Sequence, residues 1–90
     1  MLLVNTDFIP DRDFDVIGLV SGVGVPPFKL RWRSEEIGKV IEEGVERATN
    51  SMTAKASALG ADAIIKVFFD KEASDTMIQI MVWGTAVKFK

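Results

Sequence analysis

Residues 58–70 read Ala58-Leu59-Gly60-Ala61-Asp62-Ala63-Ile64-Ile65-Lys66-Val67-Phe68-Phe69-Asp70, and within them one kind of structure gives way to another. A helix commonly ends on a residue in the left-handed conformation that glycine adopts without steric cost, so the helix closes at Leu59 and Gly60 turns the chain. Ile64, Ile65, Val67, Phe68 and Phe69 then supply the β-branched and aromatic density of a strand, bounded by the polar run at 70–75. Strict alternation puts Ala63, Ile65, Val67 and Phe69 on one face. The other face carries Ile64 and Phe68, interrupted by Lys66, so neither face suits water and both need cover.

Upstream of this corner the period is helical from Ser34. Ile37, Val40, Ile41, Gly44, Val45, Ala48, Met52, Ala56 and Leu59 fall at three- and four-residue spacings and form one apolar stripe. Ser34 suits the N-cap, Glu35 and Glu36 suit the positive first turn, and Lys55 lies toward the negative end. Gly44 on the stripe implies close packing against a sheet, because a mid-helix glycine otherwise costs about 1 kcal/mol relative to alanine. Gly38, off the stripe, has no such reason.

Downstream, residues 76–89 read as a last strand. Ile78, Ile80 and Val82 make one face and Met77, Gln79, Met81 and Trp83 the other, again too apolar for water. Near the start, residues 14–21 read as a first full strand, where Gly18 marks a bulge or the close approach of another backbone. Residues 21–33, with Gly22, Gly24, Pro26 and Pro27, read as an irregular connection. Leu2, Leu3 and Val4 make a short edge strand or arm before the polar stretch at 5–13. The fold class is therefore α+β: a β-α-β-β subunit with one long helix on a three-stranded antiparallel-type sheet, plus a short extra N-terminal strand.

Ninety residues make one domain, 1–90. Eleven basic and thirteen acidic residues give a formal charge of −2, which offers no global attraction to nucleic acid or an anionic membrane. Without cysteine there are no disulfides, thiolate metal sites or cysteine nucleophiles. Without histidine the commonest general base and transition-metal ligand are missing too. The apolar start at 1–4 is too short for a signal peptide and no run approaches a membrane span, so a cytoplasmic protein is expected. A hydrophobic content of 48% with a mean hydropathy of +0.20 leans toward self-association.

Two segments, residues 58–65 (ALGADAII) and 84–88 (GTAVK), resemble the signatures of the YbjQ-like family, a group labelled for heavy-metal binding whose function is not established. A weaker echo runs from Thr6 through residues 16–22. The resemblance implies a dodecin-like subunit that assembles with its copies into a ring, typically a pentamer, with short strands crossing between neighbours. It also marks a departure. Relatives carry a longer, glycine-rich segment between first strand and helix, with an arginine-rich, tyrosine-bearing stretch, where this chain has only residues 22–33.

Lys29, Arg31, Trp32 and Arg33 precede a helix N-terminus, where unpaired N–H groups favour an anion and Trp32 offers a stacking surface; the plainer reading pairs the arginines with carboxylates. Asp7, Asp11, Asp13 and Asp15 alternate as oxygen donors do, yet lack the glycine and closing glutamate of an EF-hand. Lys66 on an apolar face is the one candidate for a desolvated amine, with a snorkelling or ion-paired lysine as the alternative. No metal site, no cofactor and no catalytic residue is expected. The face around Ile64, Phe68, Met77, Met81 and Trp83 is expected to be covered by like subunits. The function expected is non-enzymatic, a ring-forming scaffold or a small-ligand holder at subunit junctions. The alternatives are a metal-binding module, as the family label suggests, and a dodecin-like binder of flavin or another anionic ligand.

Overall fold

A computed structural model describes residues 1–26, 34–73 and 78–90. Its elements are β1 (Leu2–Leu3), β2 (Phe14–Gly24), α1 (Ser34–Ala58), β3 (Ala63–Ala73) and β4 (Ile78–Phe89). The strands form one four-stranded sheet in the order β1-β3-β4-β2. β4 pairs antiparallel with both β2 and β3, and β1 adds in parallel at Ala63 and Ile64, so the sheet is mixed.

The corner at Gly60 forms as its residues dictate. Gly60 has φ +80, its N–H donates to the Ser57 carbonyl at 3.0 Å, and the Ala61 N–H donates to the Ala56 carbonyl at 3.0 Å. These two bonds satisfy carbonyls that the last turn of a helix leaves unpaired. Leu59, however, is 54% exposed, because the chain has already turned away from the stripe.

Along α1 the buried row is Val40, Gly44, Ala48, Met52 and Ala56, one residue per four. It lies across β2 and β4. A Cβ on Gly22 would overlap the Ala48 carbonyl and stand 2.7 Å from the Met52 nitrogen, and one on Gly24 would overlap the Gly44 carbonyl. On the helix side, a Cβ on Gly44 would stand 2.8 Å from Ile80 Cγ1. Gly22 and Gly24 are thus strand residues on which the helix backbone rests, and the irregular reading of residues 21–24 is corrected. Those glycines serve contact with the helix, in a strand at the sheet edge.

Two bulges set which side chains face the helix. In β2 the register shifts between Val16 and Gly18, and a Cβ on Gly18 would meet nothing within 4 Å, so of the two expected roles the bulge is the one observed. In β3 the shift falls between Ile65 and Phe68, where Lys66 has φ +53. Lys66 and Val67 together stand opposite Gly84, and every later residue changes face. Strict alternation through β3 is therefore broken. Ile64, Val67 and Phe69 lie on the helix face, while Ala63, Ile65, Phe68, Asp70 and Glu72 lie on the opposite one.

That opposite face has partial cover from the chain itself. Ile9, 8% exposed, packs with Ala63, Ile65 and Val87, flanked by Val4, Phe14 and Phe89. The stretch at 5–13 folds back as a strap. Lys66 N–H donates to the Thr6 carbonyl at 2.8 Å, Val67 N–H to the Val4 carbonyl at 3.0 Å, and the Arg12 guanidinium sits 4.7 Å from the centre of the Phe89 ring. The strap uses the backbone groups that the β3 bulge releases.

Candidate functional site

The strap ends at one end of the face, and beyond it no described residue covers the sheet. Phe68 is 58% exposed and stacks on Trp83, with centroids 5.2 Å apart and an interplanar angle of 19°. Met81 is half-buried beside them. From β2, paired to the same positions of β4, come Leu19 at 86% and Val23 at 50% exposure. These residues share a face because the register sets Phe68 and Ser21 on either side of Trp83, and Asp70 and Val23 on either side of Met81. Lone exposed apolar residues are ordinary; a contiguous group on three adjacent strands marks an interaction surface.

Of the residues expected on this face, Phe68, Met81 and Trp83 stand on it together, and Met77 lies outside the described residues. Ile64 does not belong there. It is 0% exposed and packs under the helix with Met52 and Val82, because the bulge at Lys66 reverses the alternation that joined it to Phe68. Leu19 and Val23 were missed. They belong to a strand whose glycines masked its length, and the bulge that sets their face shows only in the pairing with β4.

The other candidates separate. Lys29, Arg31, Trp32 and Arg33 lie outside the described residues. Lys66 is exposed, in the left-handed conformation of the bulge, so the desolvation that made it a candidate amine is absent. Asp7, Asp11, Asp13 and Asp15 are exposed, and the described residues hold no group of three or more acidic side chains placed to hold a metal ion. Of the sulfurs, Met52 is sealed in the core at 0% exposure. A chain with no thiolate and no imidazole, and with its carboxylates spread over the strap, β2, the helix and β3, does not fit a thiophilic or borderline metal. Among the described residues, no helix is long and apolar enough to cross a membrane.

Fold and face define a small α+β domain, a helix seated on glycines over one face of a mixed sheet whose other face, among the described residues, is capped at one end only. A family model described as "Putative heavy-metal-binding", of the YbjQ-like type, matches residues 32–90. The chain belongs to this YbjQ-like family. It is 32% identical to a UPF0145 protein of Clostridium novyi across 98% of both chains, and 32% identical to one of Alkaliphilus metalliredigens across 99% of both. The first of these alignments runs over 108 positions against 90 residues here, so the relative carries inserted residues. The fold is also that of a solved structure from Pediococcus pentosaceus, a protein of unknown function in the DUF74 family. Its TM-score is 0.81 at 16% identity, with 100% of this chain and 98% of that one covered.

Proposed function

We propose that this chain is a non-enzymatic, self-assembling subunit, whose open face is covered by copies of itself in a ring that serves as a scaffold or holds a small ligand at its junctions. One observation carries this reading: Leu19, Val23, Phe68, Met81 and Trp83 form a contiguous apolar surface on three adjacent strands, next to an otherwise capped sheet. At about 25 cal/mol per Å², covering even about 300 Å² of it per subunit contributes roughly 7 kcal/mol before association costs are subtracted. Among the described residues, the chain's own elements do not cover it. β4 is paired on both sides, so the tail at 85–89 has no edge to offer, and the arm at 2–4 is engaged on β3 of the same chain. Among the described residues, the open edges are those of β2 and the far half of β3.

The family resemblance makes five the expected subunit count. Native mass spectrometry of the untagged protein reads that count and any retained ligand in one spectrum. Retained flavin would give a yellow protein, and retained metal would appear as added mass. Sedimentation as a monomer at micromolar concentration would overturn the assembly.

A further inference from the structure

We propose that the strap at 5–13 is a removable cap on the assembly face, a contact by which the chain occupies part of its own docking surface until a second copy displaces it. This deepens the assembly reading above and rests on it. The register shows what the strap covers. On the face away from the helix, Val87 of β4 stands between Val16 and Ala63, and Thr85 between Leu19 and Ile65. Farther along come Trp83 beside Phe68 and Met81 beside Val23. The face is thus one apolar surface along the sheet, and the strap overlies only its Ala63, Ile65 and Val87 end. Even there Val16 stays 64% exposed.

The hold of the strap is slight. Of residues 5–13 only Ile9 is buried. The surface beneath is apolar, with Ala63 and Val87 at 0% and Ile65 at 3% exposure, so any apolar occupant serves it as well as Ile9 does. Lys66 N–H, which donates to the Thr6 carbonyl, belongs to an exposed residue at the outer side of β3, and water takes over that bond when the strap lifts. The other fastenings are the Arg12 guanidinium over Phe89, a 3.1 Å bond from Lys90 N–H to the Asp13 carbonyl, and the Lys90–Asp15 ion pair, whose side chains are 60% and 75% exposed. Exposed ion pairs hold little.

Closure also keeps one residue in an unfavourable conformation. Residues 9–12 make a tight turn, with Arg12 N–H donating to the Ile9 carbonyl at 3.3 Å, Pro10 in the second position and Asp11 at φ 60 in the third. This is the pattern of a type II turn, whose third position favours glycine. A segment with one buried side chain, exposed hydrogen bonds and a strained turn opens by itself while the sheet stays folded.

Hydrogen exchange followed by NMR reads the opening directly. In the wild type the Lys66 and Arg12 amides should exchange at least about 100-fold faster than those of Val82 and Ala86 in the doubly paired β4. Ile9→Asp lifts the strap. It should leave the protection of β4 and the helical circular dichroism in place, and tighten self-association in sedimentation by on the order of 10-fold as Ala63, Ile65 and Val87 join the surface. Ile9→Ala moves both readouts the same way by a smaller step. Asp11→Gly relieves the turn and does the reverse, slowing exchange at Lys66 about threefold. A Lys66 amide as protected as that of Val82, or a loss of β4 protection in both Ile9 variants, makes the strap part of the core and overturns the proposal. Sedimentation separates it from the assembly. Oligomers of unchanged affinity in Ile9→Asp overturn the cap and leave the assembly standing. A monomeric wild type beside an associating variant overturns assembly of the closed form and keeps the cap, whereas monomers of both overturn both.

Discussion

Over β2 and β4 the helix backbone rests on Gly22 and Gly24, with Gly44, Ala48 and Met52 in the buried row, and there is no room for an added methyl group. In β3, Phe68 on one face and Phe69 on the other stand 58% and 47% exposed, and nothing of the described chain covers them. One region spends its sequence on small residues so that two backbones can meet; the other presents aromatic rings to the outside. A glycine seat specifies a partner already in the chain. An open aromatic edge leaves that partner to be found by experiment.

The contrast is broken most severely by filling the seat. Gly24→Val drives a branched side chain into the Gly44 carbonyl, and the loss of stability should reach or exceed the roughly 1–3 kcal/mol typical of overpacking, since helix backbone cannot swing aside. Thermal unfolding by calorimetry checks it, and an unchanged Tm would show that the helix does not rest there. Next comes the corner. Gly60→Val forces a β-branched residue to the φ of +80 now held by glycine, at a cost of about 1–3 kcal/mol by the same measurement. Gly38→Ala has the opposite sign. A Cβ there meets nothing within 4 Å and no positive φ is involved, so alanine should stabilise by about 0.5–1 kcal/mol, raising Tm. The smallest effect concerns metal. With no His or Cys, titration with Zn²⁺, Cu²⁺ or Ni²⁺ in a calorimeter should give no stoichiometric submicromolar binding; a tight isotherm would show a donor set other than the one described.

What could be read from the residues alone was whatever depended on local chemistry. The stop at Gly60 and the helical row through Gly44 and Met52 followed from conformational freedom and period, and both are in the structure. The faces of β3 were not legible past Ile65. A bulge is an agreement between two strands, here Lys66 and Val67 against Gly84, and one strand's sequence carries no mark of it. That single event moved Ile64 from the open face to the core. Gly22 and Gly24 misled for a related reason: glycine weakens a strand in isolation, and only the helix above explains it. The strap was hidden because nothing in the polar stretch tells Ile9 from the exposed Phe8 beside it, and its burial depends on Ala63, Ile65 and Val87 far along the chain. Of the proposed surface, Phe68, Met81 and Trp83 were readable from the excess of apolar residues on both faces, whereas Leu19 and Val23 needed the register of β2.

The account's central claim is that the open end of the sheet is covered by copies of this chain. Sedimentation velocity of the wild type beside Met81→Glu with Trp83→Glu, both at micromolar concentration, tests it most directly. The two substitutions place carboxylates at half-buried positions of the open face and leave the glycine seat untouched. The wild type should sediment as a single oligomer and the double variant as a smaller species with the helical circular dichroism of the wild type. A monomeric wild type, or a double variant of unchanged size, contradicts the claim.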